Sequence, residues 1–82
     1  MTTSTHTEEY QVLRAILRDA RLNAGVTQQQ LAEKLGKPQS YVAKVEGGER
    51  RIDVNEFIAF ARAIDIDPTT LFRSVLAKLK SQ

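Results

Sequence analysis

The sequence predicts an all-α fold, a compact domain of five helices. Three observations carry this expectation. Apolar residues recur at steps of three and four, and no segment longer than a few residues alternates with period two. Residues that open and close helices fall in order between the apolar runs: Thr27, Pro38, Asp53 and Asp67-Pro68 open them, and Gly25, Gly36 and Gly47-Gly48 close them. The chain has 82 residues, 41% hydrophobic and 27% charged, which suits one folded domain with a single core.

Residues 1–7 read as a flexible polar tail carrying His6 in solvent, and residues 8–80 as the domain. The first helix runs from about Glu8 to Ala24, with Tyr10, Leu13, Leu17, Ala20 and Ala24 as its buried stripe. Gly25 stops it. The second opens at Thr27, with Gln30 at capping-box spacing, turns Leu31, Ala32 and Leu35 inward, and ends at Gly36. The third takes Pro38 as its first helical residue, where no amide hydrogen is needed, and groups Tyr41, Val42 and Val45 on one side. The fourth starts at Asp53, with Glu56 at capping-box spacing, and carries Val54, Phe57, Ile58, Phe60, Ala61 and Ile64. The fifth starts at Asp67-Pro68 and is lined by Leu71, Phe72, Val75, Leu76 and Leu79.

Composition excludes several functions. With no cysteine, zinc fingers, disulfide scaffolds and thiol chemistry are out, and one histidine leaves no two-histidine metal or hydrolase motif. No nucleophile–base pair and no phosphate-cradling glycine loop is present, so neither an enzyme nor a cofactor or metal site is expected. No apolar run approaches the roughly 18 residues of a membrane span. Residues 1–7 lack the order of a secretory signal, so a cytoplasmic protein without a membrane partner is expected. The net charge is only +2, but it is unevenly spread. Lys34, Lys37, Lys44, Arg50 and Arg51 form a basic centre, and Asp53, Glu56, Asp65 and Asp67 an acidic flank, a distribution that can orient a polyanion.

The second and third helices are each about two turns long, and only Leu35-Gly36-Lys37 separates them. A short glycine-containing turn between two short helices is a helix-turn-helix, here at about 27–46. Helices this short are marginal alone, so helices one, four and five must supply the core. In projection, Gln39, Ser40, Ala43 and Lys44 of the third helix face away from Val42 and Val45. That face offers an amide, a hydroxyl, a methyl and an ammonium, with no acid. Glutamine can pair with adenine, lysine can reach guanine, and a methyl can meet the thymine methyl. The first amides of the second helix, near Gln28, suit a phosphate, and Arg50 and Arg51 can reach the same backbone.

Thr27-Gln28-x-x-Leu31-Ala32-x-x-x-Gly36 followed by Glu46-x-Gly48-x-Arg50 resembles the helix-turn-helix domain of the phage lambda repressor and Cro superfamily, also called the XRE family. Arg21, Gly25 and the Asp65–Phe72 stretch extend the match over roughly Leu13 to Leu76. The resemblance implies a lambda repressor-like DNA-binding fold and a transcriptional regulator, usually dimeric on a palindromic operator. It implies that Gln28 contacts phosphate or a neighbouring base contact, and that Gln39, Ser40 and Lys44 face base edges. It puts Lys37 and Tyr41 where phosphate or edge contacts are common, and makes Arg21 and Glu46 an internal ion pair. Pro38 stands near the start of the recognition helix, where many members of the family carry a polar residue. Tyr41 has two readings: a core ring whose hydroxyl reaches a phosphate, or core alone.

Apolar arcs on the fourth and fifth helices exceed what so small a domain needs internally. Ile58, Phe60, Leu71, Phe72, Val75 and Leu79 are expected to form a homodimer interface, unless helices one and five simply sandwich helix four. A two-fold dimer sets two recognition helices about 34 Å apart, one turn of duplex DNA. The expected partner is double-stranded DNA, read through the major groove at an inverted repeat. The alternative is a protein-interaction module, or an antitoxin or controller subunit that mainly binds a partner protein. With no effector segment after the fifth helix, regulation is expected through occupancy, dimerisation or a partner.

Overall fold

The computed structural model describes residues 7–81, so the remainder of the expected tail, His6 included, lies outside the described residues. The elements are α1 (Glu8–Asn23), α2 (Gln28–Leu35), α3 (Gln39–Glu46), α4 (Val54–Ala63) and α5 (Pro68–Lys80). No strand occurs among the described residues.

Each helix begins for a local reason. Thr7, read from sequence as tail, is the N-cap of α1, its Oγ1 accepting from the Tyr10 amide at 3.2 Å. Thr27 and Gln30 close a reciprocal capping box on α2, with bonds of 3.0 and 2.9 Å. Asp53 and Glu56 do the same on α4, at 2.7 and 2.9 Å. The Asp67 carboxylate accepts from the Thr69 amide at 2.7 Å, with Pro68 as the first residue of α5.

Pro38 departs from expectation. It is the N-cap of α3 and not its first helical residue, because its backbone is extended (φ −71°, ψ 155°). Its carbonyl accepts the first turn's bond from the Tyr41 amide at 3.0 Å, and α3 starts at Gln39. Ala24 is also corrected: it caps α1 on the exposed side and is no part of the buried stripe.

The core draws buried apolar residues from every helix. Leu17, Leu31, Val42, Val45 and Phe60 are fully enclosed, each contributing about 1.5–3 kcal/mol of transfer free energy. Leu71 of α5 joins them, and Val75 is buried on the same helix. This corrects part of the expected interface. Phe60, Leu71 and Val75 are spent inside the chain, where α4 and α5 pack on α1 and α2, and present no surface to a second copy. On α4 and α5 the large apolar groups left outside are Val54, Phe72 and Leu76, at 74, 49 and 50% exposure, with Ile58 and Leu79 half-buried beside them; Leu22 of α1 is also exposed.

Candidate nucleic-acid interface

The orientation of α3 is set from beneath by Glu46, buried at its C-terminal end. Arg21 of α1 meets the carboxylate side-on, Nε donating to Oε2 at 2.7 Å and Nη2 to Oε1 at 3.0 Å. Its third nitrogen donates to the Val26 carbonyl at 2.7 Å, so the buried guanidinium is spread over three acceptors. The Gln28 side-chain amide donates to the same carboxylate at 3.1 Å. Arg14 donates to the Glu46 backbone carbonyl at 2.9 Å. One residue thus joins α1, α2 and α3. A bidentate charge-assisted pair fixes planes as well as distances, which holds the angle between the two short helices. Gln28, read from sequence as a DNA contact, has its amide nitrogen committed to this network.

Above that base the outer face of α3 is open. Gln39, Ser40, Ala43 and Lys44 are all exposed. Val42 and Val45, on the opposite side, are fully buried and prevent α3 from rolling.

A second polar cluster sits at the edge of this face. The Tyr41 ring is half-buried, with the Lys37 ammonium 5.4 Å and the Arg50 guanidinium 4.7 Å from its centroid. The Tyr41 hydroxyl donates to Glu56 Oε2 at 3.1 Å. Burial and this bond push its pKa up to about 12. Arg50 donates to Glu56 Oε1 at 3.3 Å and to the Arg51 carbonyl at 2.7 Å, and its other terminal nitrogen lies 3.1 Å from Glu56 Oε2 as an ion pair. The Asp53 amide, then Arg50, hold the Glu56 carboxyl below its ordinary value. Tyr41 is therefore a half-buried ring whose hydroxyl meets a carboxylate of the chain itself. Arg51 is exposed, its guanidinium 5.9 Å from the Tyr10 ring.

The loop carrying Arg50 and Arg51 is pinned to α1. Tyr10 Oη donates to the Arg50 carbonyl at 3.0 Å and accepts from the Ile52 amide at 3.1 Å. Sequence reading places Tyr10 in the buried stripe, as found, but misses the bonds of its hydroxyl, the role of Arg14 and the second role of Glu56. Their partners lie 32–42 and 6–15 residues away, so no local spacing announces them; only the Asp53–Glu56 box was visible.

A helix-turn-helix locked by a buried ion pair, its outer face polar and free of acids, defines a DNA-binding domain. The helix-turn-helix family model matches residues 17–71. An XRE-family-like protein from Pseudomonas syringae pv. tomato is 48% identical, with 89% of each chain covered and a TM-score of 0.83. The restriction-modification controller protein C.AhdI from Aeromonas hydrophila is 35% identical over 73% of this chain and 91% of that one, at a TM-score of 0.67. The controller protein C.Esp1396I shares the fold at a TM-score of 0.87 and 16% identity, over 94% of this chain and all of that one (100%). No curated protein sequence matches the chain. The chain belongs to the XRE, lambda repressor-like helix-turn-helix family, a class of DNA-binding transcriptional regulators. No helix among the described residues is long and apolar enough to cross a membrane.

Proposed function

We propose that the chain is a sequence-specific regulator that binds an inverted-repeat operator as a homodimer, each copy reading one half-site with α3. The observation that supports this most is the exposed, acid-free set Gln39, Ser40, Ala43 and Lys44 on a helix braced by buried Glu46. Gln39 suits adenine, Lys44 guanine, and Ala43 a thymine methyl. Ser40 faces base edges with them, Lys37, Arg50 and Arg51 supply phosphate contacts around the helix, and the Tyr41 ring carries Lys37 and Arg50 at the groove edge. Such contacts position the protein and make binding salt-dependent. Gln28 acts mainly through Glu46 and reaches phosphate with its remaining oxygen. The domain, residues 8–80 with Thr7 as cap, works with the DNA in the cytoplasm.

The dimer surface is the apolar strip left over by the core: Val54, Ile58, Phe72, Leu76 and Leu79, around a groove floored by Leu13 and Phe57. Exposed apolar patches rimmed by polar groups mark interaction sites. Of a phage-type repressor, an antitoxin and a restriction-modification controller, the last has support from the 35% identity to C.AhdI. Replacing Arg50 and Arg51 together by alanine should weaken binding to all duplexes alike and flatten its salt dependence. A changed sequence preference instead would make those arginines base readers. Tight binding of a partner protein with no shift of duplex DNA would support the interaction-module reading.

A further inference from the structure

The Arg50–Glu56 pair lies where the proposed function needs a free cation. The arginine side chain is 42% exposed and the glutamate 24%. Three groups converge on this carboxylate from different elements: the Asp53 amide at 2.9 Å, the Tyr41 hydroxyl at 3.1 Å, and the Arg50 guanidinium at 3.1 and 3.3 Å. The first two belong to the start of α4 and to α3, and cannot leave without unwinding a cap or moving a core-anchored helix. Arg50 sits on an exposed loop and leaves by side-chain rotation alone. Stacked on Tyr41, it is already at the edge of the α3 face.

We infer that Glu56 sets the DNA affinity of this protein by holding Arg50 against Tyr41 in the free state, so that binding exchanges the carboxylate for a backbone phosphate. The inference rests on the proposed reading of α3 and its flanking arginines. An exposed pair of this kind is weak and screened by salt, so a phosphate can displace it. A phosphate also offers arginine the same planar, two-oxygen recognition as a carboxylate. The exchange is therefore close to balanced, and each copy gives up part of the affinity that a free arginine would bring. Meanwhile Arg50 is kept folded down near its point of use, which limits the ordering entropy lost on binding. Glu56 touches no DNA in this scheme; it is a positioning residue.

Glu56→Gln tests it cleanly. Glutamine keeps one oxygen for the capping box on α4 and puts an amide NH2 where the other oxygen met Tyr41 and Arg50, so the Tyr41 hydroxyl turns to accept and the charge that retains Arg50 is lost. Affinity for mixed-sequence duplex DNA is measured for the wild-type chain, Glu56→Gln, Arg50→Ala and the double variant, with thermal unfolding as a check on the fold. Glu56→Gln is expected to tighten binding about two- to fivefold in the wild-type background and to change nothing once Arg50 is alanine. The same gain in both backgrounds would mean that removing an acid near DNA is the whole effect, and would overturn the inference. No gain in either would also overturn it. A wild-type chain that fails to bind duplex DNA at low salt would instead overturn the proposed function, and the inference with it.

Discussion

Glu46 shows how much one side chain carries here. Its carboxylate is buried with Arg21 and bonded by Gln28, and its carbonyl is bonded by Arg14. Glu46→Ala strands a buried guanidinium and should lower the unfolding free energy by about 3–5 kcal/mol, read by urea denaturation. Arg21→Ala should cost a similar amount, and the double variant less than the sum, since the two share one interaction. Tyr41 and Glu56 make stability depend on pH in opposite directions. The folded pKa of Tyr41 is about 12 against an ordinary 10.0. The folded state therefore binds more protons between those values, and the Tyr41 contribution, complete below pH 10.0, is lost as pH climbs towards 12. Tyr41→Phe should remove its share of the alkaline loss in a pH series of thermal melts. Glu56 is held below its ordinary value, so its contribution is complete above the ordinary carboxylate range and disappears as acid protonates it. At this scale the sequence was legible only through the family pattern. Arg21 and Glu46 are 25 residues apart, and nothing in their immediate neighbours links them. Arg14 looks like any solvent-facing arginine of α1 until Gly48 places the end of α3 over it.

The short helices were the most legible feature, because their ends are written in local chemistry. Thr27 with Gln30, Asp53 with Glu56, and Asp67 before Pro68 each satisfy amides within their own first turn. Pro38 stands one residue before the expected position because its fixed φ is compatible with both an extended and a helical residue; its ψ of 155° makes it the cap, though without a side-chain bond. The glycines closing α2 and α3 are not equivalent. Gly36 has a φ of +68° with nothing near a hypothetical Cβ, whereas Gly48 has a φ of +82° and Arg14 Nε only 2.9 Å from that point. Gly36→Ala should cost about 1–2 kcal/mol, the strain of a left-handed residue. Gly48→Ala should cost more, by disturbing the Arg14 bond to Glu46. Equal losses in thermal or urea unfolding would mean that Arg14 yields freely and does not brace α3.

At the scale of the whole molecule, the apolar arcs of α4 and α5 combine a buried part and an exposed part that sequence does not separate. Helical spacing shows how wide an apolar face is, but not which part a third helix covers. Phe60, Leu71 and Val75 went to the core, while Val54, Phe72 and Leu76 stayed outside. Phe72→Glu with Leu76→Glu should leave the fold intact, since both side chains are half exposed. It should convert a sedimenting dimer to monomer and weaken operator binding, because each half-site contact then binds alone. Wild-type sedimentation as a monomer on and off DNA would dismiss this surface as the dimer contact. The central claim is that the outer face of α3 reads base pairs. It is tested most directly by selecting random duplex DNA, at near-physiological salt, with the wild-type chain and with Lys44→Ala. The account predicts an inverted repeat with half-site centres about one helical turn apart, and a folded Lys44→Ala variant whose preference is relaxed within each half-site. No enrichment by the wild type, or an unchanged motif in the variant, would contradict it.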